Sequence, residues 1–196
     1  MIPSRAILKD HLSTRFDIIS SQGINTLGEL ISSLKTKPLI EAFAQKSKLS
    51  VDYLTILKRE ASSYLPNPVQ LKQFSGVDTE VVSELGKRGI NSSRQLFDRA
   101  DELRMLSSDT GVPSQQIREL MCLSDLCRLY GVGPVFARIL YDIGIDSVQT
   151  LAAHSGAEIV DIYEDQTQKT ADFSARDIEF TLELARDLDI ITPPDP

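Results

Sequence analysis

Tryptophan is absent from the 196 residues, histidine and cysteine occur only twice each, and no apolar run approaches the roughly 18 residues needed to cross a bilayer. Two cysteines cannot build a disulfide framework. Cys122 and Cys127 lie five positions apart within one helix-like stretch and read as buried thiols of a reducing compartment. His11 and His154 are isolated, no Cys/His cluster has metal-ligand spacing, no glycine-rich loop ends in Lys-Ser/Thr, and no Gly-x-Ser-x-Gly elbow occurs. The acidic pair Glu164-Asp165 lies in a polar stretch and reads as solvated surface. These absences point to a protein that is not an enzyme. The opening MIPSRAILKDHLSTRF has no apolar secretory core, so a cytoplasmic location without a membrane partner is expected. Alternating apolar runs of strand type are missing as well, and glycine and proline stand where helices end. The fold class read from this pattern is all-α, without a sheet.

What is present is ordinary globular usage, 41% hydrophobic and 25% charged. The net charge of −7 hides a gradient: residues 1–65 carry +3, residues 66–120 carry −1 and residues 121–196 carry −9. A surface that binds polyanions by bulk charge belongs in the first third, and the last third repels them.

A short string occurs three times, Gly23-Ile24-Asn25-Thr26, Gly89-Ile90-Asn91-Ser92 and Gly144-Ile145-Asp146-Ser147, at spacings of 66 and 55. Each copy is followed by a leucine, Leu30, Leu96 or Leu151. Glycine after a helical run supplies a left-handed end, the isoleucine packs back on the last turn, and the polar pair caps the next helix. Thr26-x-x-Glu29 and Ser92-x-x-Gln95 are capping boxes, and Asp146-x-x-Gln149 offers a third. At the 55-residue offset, Leu71, Gly76, Val77, Val82 and Leu85 fall on Leu126, Gly131, Val132, Ala137 and Leu140. At the 66-residue offset the first copy keeps Phe16 and Ile19 but has Asp10 in place of Gly76.

Three pseudo-repeats follow from this pattern: a divergent one over 1–65, a second over 66–120 and a third over 121–196, with Leu65-Pro66-Asn67-Pro68 as the first boundary. Each ends in a capped amphipathic stretch, opened by Ser50, by Pro113 in the first turn of its helix, and by Ser174-x-x-Asp177. The polar run Asp161–Phe173 reads as a loose excursion in the third repeat. Val82, Leu85, Ala137, Leu140, Ile24, Ile90 and Ile145 are expected to be buried, Ala137 most tightly.

The segment from Asp125 to Asp146 reads as helix, tight Gly131-Val132-Gly133 turn, helix with Pro134 in its first turn, and glycine stop. Backbone amides at that second helix start point outward and make an anion site by geometry and dipole. Leu126, Leu129, Gly131, Val132, Gly133, Ala137 and Leu140 together resemble the helix-hairpin-helix superfamily. The resemblance implies sequence-independent binding to the phosphate backbone of double-stranded DNA, and in some members a monovalent cation held by hairpin carbonyls. Over about residues 66–190 the order GVD, GINS, GVPSQQIREL, DLCRLYGVGPVFA, GIDSVQTLA, FSARDIEFTLELA is similar to the bacterial domain-of-unknown-function family 4332, which carries tandem hairpins of this kind. Residues 1–65 look like a further divergent copy in front.

Departures from a DNA-binding hairpin are visible beside the match. Asp78 replaces the second glycine of the turn in the second repeat, so a carboxylate caps its own helix there and closes the hairpin. The third repeat has Val135 and Phe136 where a phosphate-binding hairpin would place Lys or Arg, leaving Arg128 and Arg138 nearby. Two readings therefore stand. One is a nucleic-acid module that uses Gly131, Val132, Gly133, Arg128 and Arg138, with a secondary basic face of Lys35, Lys37, Lys46 and Lys48, to which Lys58 and Arg59 add. The other is a protein-interaction scaffold in which the hairpins are joints and the acidic third meets a basic partner. Tyr130 either stacks on a base or packs over the helix crossing.

Overall fold

A left-handed glycine follows a helix at each occurrence of the repeated string: φ is 81° at Gly23, 78° at Gly89 and 85° at Gly144. Beyond each of these turns Thr26, Ser92 or Ser147 opens the next helix, accepting a hydrogen bond from the amide three residues on. The computed structural model describes residues 3–188. Among them the structure is all-α, with thirteen α-helices, two single 3-10 turns at Leu71–Gln73 and Ala100–Glu102, and no strand beyond one isolated antiparallel bridge between Gln70 and Ser92.

The chain divides into two compact units, one ending at Leu65 and one beginning at Pro66. The first holds α1 (Pro3–Lys9), α2 (Leu12–Ser21), α3 (Leu27–Ser33), α4 (Lys37–Ser47) and α5 (Val51–Ser63). Its core gathers Ile19, Ile24, Leu30, Leu34, Leu54 and Leu57. Ser50 caps α5 by accepting from the Tyr53 amide at 3.2 Å, and α1, α3 and α4 all pack on that helix.

The second unit holds α6 (Thr79–Lys87), α7 (Ser93–Phe97), α8 (Leu103–Thr110), α9 (Ser114–Leu126), α10 (Pro134–Asp142), α11 (Val148–Ala152), α12 (Gly156–Thr167) and α13 (Ala175–Asp187). Helices α6 and α10 are nine residues each and begin 55 apart, and α7 and α11 are five residues each at the same offset. The turns joining each pair make the same two bonds. Gly89 and Gly144 donate to the carbonyls of Gly86 and Tyr141, and Ile90 and Ile145 reach back to Leu85 and Leu140 at 3.1 and 2.9 Å. This is the double bond pattern of a glycine-terminated helix, and it seats both isoleucines, each 1% exposed, in one core.

Several expectations need correction. Val82 is half-buried, and Val81 takes the core place at 3% exposure, because Val81 and Leu85 share an i,i+4 stripe that Val82 flanks. Leu85, Ala137, Leu140, Ile24, Ile90 and Ile145 are buried as expected, Ala137 completely. The third capping group is Ser147, whose Oγ accepts from the Thr150 amide at 3.1 Å, and not an Asp146–Gln149 box. Pro113 stands just ahead of α9 instead of in its first turn. Most of the expected excursion at 161–173 is ordered: α12 continues to Thr167 because Ile159, Ile162 and Tyr163 carry one apolar stripe. Phe173 packs edge-on against Phe136 and Tyr163, both with ring centroids 5.3 Å away. Helix α9 runs unbroken across residues 120 and 121, as the amphipathic stretch after Pro113 implies.

Candidate functional site

The turn between α9 and α10 is shaped by its two glycines in different ways. Gly131 has φ of 88°, and a Cβ there would lie 2.9 Å from the Oγ1 of Thr181 on α13. That hydroxyl donates to the carbonyl of Tyr130 at 3.0 Å, fastening the turn to α13. Gly133 is extended and caps α10 without a side-chain bond, and a Cβ on it would meet nothing within 4 Å. Pro134 follows with no N–H, so the first-turn amides of Val135 and Phe136 form the outward-facing start of the helix. Val132 between the glycines is buried. In the matching turn of the second unit, Gly76 has φ of 78° and the carboxylate of Asp78 accepts from the Glu80 amide at 2.8 Å, so that helix start carries its own anion.

The two arginines assigned to this turn from the sequence both face internal carboxylates. Arg128 pairs with Asp125 at 2.7 Å, and its guanidinium lies 4.3 Å from the centre of the Phe97 ring. The Asp125 side chain is 2% exposed, and its second oxygen accepts from the Val148 amide at 2.8 Å, tying α9 to the start of α11. Burial pushes the Asp125 carboxyl above its ordinary value, against the opposing effect of the Val148 and Arg128 bonds. Arg138 bonds Glu119 at 2.5 Å and Asp142 at 3.2 Å, and its side chain is 15% exposed. Burial works to lower its pKa, but the bonds to Glu119 and Asp142 outweigh it and hold the guanidinium still more firmly charged. Its guanidinium carbon comes within 3.8 Å of where a Cβ on Gly76 would sit, so this side chain lies close to the Gly76 turn.

What the rim of the turn presents is apolar. Val135 is 67% exposed, and Tyr130 and Phe180 meet edge-on with centroids 5.9 Å apart, both rings partly open to solvent. Tyr130 thus packs beside the crossing, and Phe180 is a member of this rim that the sequence did not disclose. Its only signal was an aromatic on the otherwise polar side of the last amphipathic stretch.

The lysines of the secondary basic face are spread along α4. Lys35 and Lys37 stand before and at the start of α4, Lys46 and Lys48 in its last turn and at its end, about 15 Å along the axis. Lys37 lies 3.9 Å from Glu41, and Lys46 and Lys48 sit where cations complement the helix dipole. Lys58 donates from Nζ to the carbonyl of Lys35 at 2.7 Å.

Three carbonyls of the hairpin already accept within the chain: Leu129 from Val132, Tyr130 from Thr181 and Gly133 from Ala137. His154 bonds the carbonyl of Thr150 through Nδ1 at 2.7 Å, and His11 opens α2 in left-handed backbone. Among the described residues no group of three or more His, Cys, Asp or Glu side chains could hold a metal ion. Cys122 and Cys127 are free and buried, and burial raises their thiols to about 11 and about 12, so both are protonated at neutral pH. No helix among the described residues is long and apolar enough to cross a membrane.

Comparison with known families finds one model, described as Domain of unknown function (DUF4332), that matches residues 75–185. No curated protein and no solved structure matches the chain. The matched stretch covers more than half of the sequence and runs from the closed turn through the open one into the last turn of α13, and by that match the chain belongs to the DUF4332 family.

Proposed function

We propose that this chain is a non-catalytic binding module of the helix-hairpin-helix kind, built from three copies, the first divergent, and working as a protein-interaction scaffold whose hairpin turns are structural joints. The observation that carries this reading is what the open turn offers: Tyr130, Val135 and Phe180 outward, with Arg128 and Arg138 committed to Asp125, Glu119 and Asp142. A phosphate arriving there would have to compete with charge-assisted bonds that are already made. The −9 charge of residues 121–196 favours a basic partner. A reducing, cytoplasmic setting goes with this reading, since Cys122 and Cys127 are unpaired thiols.

One observation favours the nucleic-acid reading, namely the uncapped start of α10 behind Gly133, whose amides suit a backbone phosphate. Anisotropy of a fluorescein-labelled DNA duplex at low salt separates the two. The scaffold reading expects no saturable binding to the wild-type chain or to Gly133→Asp, a variant that reproduces the turn of Gly76–Asp78, which this chain folds. Salt-sensitive binding that Gly133→Asp abolishes would overturn it in favour of DNA. Binding that survives Gly133→Asp but vanishes when Lys35, Lys37, Lys46 and Lys48 are neutralised would move the nucleic-acid surface to the first copy.

A further inference from the structure

In the second unit, the face made by a hairpin's second helix and the turn after it is covered by the segment just upstream. The carbonyl of Val69 accepts from the Ser93 amide at 2.7 Å, and the Leu71 amide donates to Asn91 at 2.9 Å. This seats Leu71 and Phe74, 0% and 4% exposed, in the cluster of Leu85, Ile90 and Leu96. Fifty-five residues on, Leu126 and Leu129, 0% and 1% exposed, lie in the same cluster as Leu140, Ile145 and Leu151. Asp125 there takes the Val148 amide in place of a backbone carbonyl. Both faces thus carry a short turn with two apolar side chains three residues apart.

The first unit has the face without the full cover. Sixty-six residues before Leu71 and Phe74 stand Arg5 and Leu8, so the leucine anchor is missing from the sequence. Helix α1, which carries Leu8, packs on α5. A groove of about 470 Å³ remains, lined among others by Leu8, Leu12, Phe16, Asn25 and Leu27. Leu12, Phe16 and Leu27 are 50%, 42% and 38% exposed. The residues matching Leu27 at the two offsets, Ser93 and Val148, are 4% and 1% exposed. Asn25 lines the groove at the place of Asn91, whose carbonyl accepts the covering segment's amide.

We infer that this groove takes, from a partner protein, a short turn with two apolar side chains three residues apart, as residues 69–74 supply within the second unit. The inference rests on the three-copy reading, which tells what kind of segment belongs on this face. Affinity comes from the two apolar side chains, and the backbone bond at Asn25 sets the register.

The probe is a fluorescein-labelled peptide with the sequence of residues 66–75, titrated against the full chain and followed by anisotropy. Saturable binding is expected, weakened at least about tenfold by Phe16→Asp or Leu27→Asp in the protein, and equally when the peptide's Leu71 and Phe74 positions are both alanine. Phe16 and Leu27 are exposed, so both variants should keep the wild-type circular dichroism spectrum and melting profile. No binding to wild type, or binding that neither variant weakens, overturns the inference. Leu71→Ala in the chain itself tests the underlying reading separately, and it should speed amide exchange at Ile90 and Ser93 several-fold. Unchanged exchange there shows that the turn at residues 69–74 does not hold this face, which removes the template for the groove, whereas faster exchange with no peptide binding defeats the groove alone.

Discussion

The two glycines of the open turn make opposite demands, and replacing each with alanine should separate them. Gly131→Ala puts a Cβ on left-handed backbone at φ of 88° and within 2.9 Å of the Thr181 hydroxyl oxygen. The backbone conformation alone costs roughly 1 kcal/mol for a residue with a Cβ. Thr181 is 6% exposed and has little room to retreat, so its bond to the Tyr130 carbonyl is strained or lost, at roughly 0.5–1.5 kcal/mol. The expected loss is about 2 kcal/mol in total. Gly133→Ala meets open space on extended backbone, where the cost of a poorer cap and the gain from a stiffer unfolded chain nearly offset each other, within about 0.5 kcal/mol. With two compact units in the chain, a whole-chain denaturation midpoint mixes transitions, so the assay is amide hydrogen exchange at Ala137 and Leu140 on α10. Gly131→Ala should speed exchange there roughly 30-fold and Gly133→Ala by less than about threefold. Adding Thr181→Ala to Gly131→Ala should relieve the collision but leave the backbone strain. If Gly131→Ala exchanges like wild type, or Gly133→Ala is equally damaging, the turn is not held as described.

Two further outcomes follow from the packing and the caps. Ala137 is fully buried in α10, so Ala137→Leu should overpack the core and cost roughly 1–3 kcal/mol by the same exchange measurement, and wild-type exchange would show that the site has slack. The carboxyl groups of Glu29 and Glu158 are held below their ordinary value of 4.5, chiefly by backbone amides of Asn25 and Ser155 respectively. Because these values are depressed in the folded state, the stabilisation is present above the unfolded value and is lost as pH falls through the folded one. Acidification should therefore fray the starts of α3 and α12, while α7, whose box is closed by the neutral Gln95, stays intact; carboxyl titration at unshifted values, or equal fraying of α7, would refute this.

Local chemistry was the legible part. Helix stops at Gly23, Gly89 and Gly144 and the boxes at Thr26 and Ser92 depend on residues within four positions of one another, and the structure has them as read. Where two neighbours compete, as Asp146 and Ser147 do, the cap falls to Ser147, which stands on extended backbone at the place of Thr26 and Ser92 in the repeated string. The second half of α12 was hidden because its outward face is strongly polar while its inward stripe is only Ile159, Ile162 and Tyr163. At the site, the glycine conformation was readable and the charges were not. Asp125 stands three residues before Arg128, a spacing that hints at their bond, but Glu119 reaches Arg138 from 19 residues away and Thr181 reaches Tyr130 from 51. The carboxylates that hold both arginines come partly from the same helical stretch and partly from across the fold.

Helix α9 packs on α7, α8 and α10, and its C-terminal end supplies Leu126 to the core that also holds residues of α10 and α11. One element thus belongs to two neighbouring blocks of the chain. Blocks joined by a linker unfold one at a time, but blocks joined by a common helix lose their partners together, because the helix cannot leave one and remain in the other. A cut after residue 120 would leave seven residues of α9 on one fragment and six on the other, each too short to hold a helix alone. Cooperativity from Pro66 onward is therefore a property of connectivity, and it sets the smallest piece of this region that can fold: one that keeps α9 whole with both sets of helices it serves.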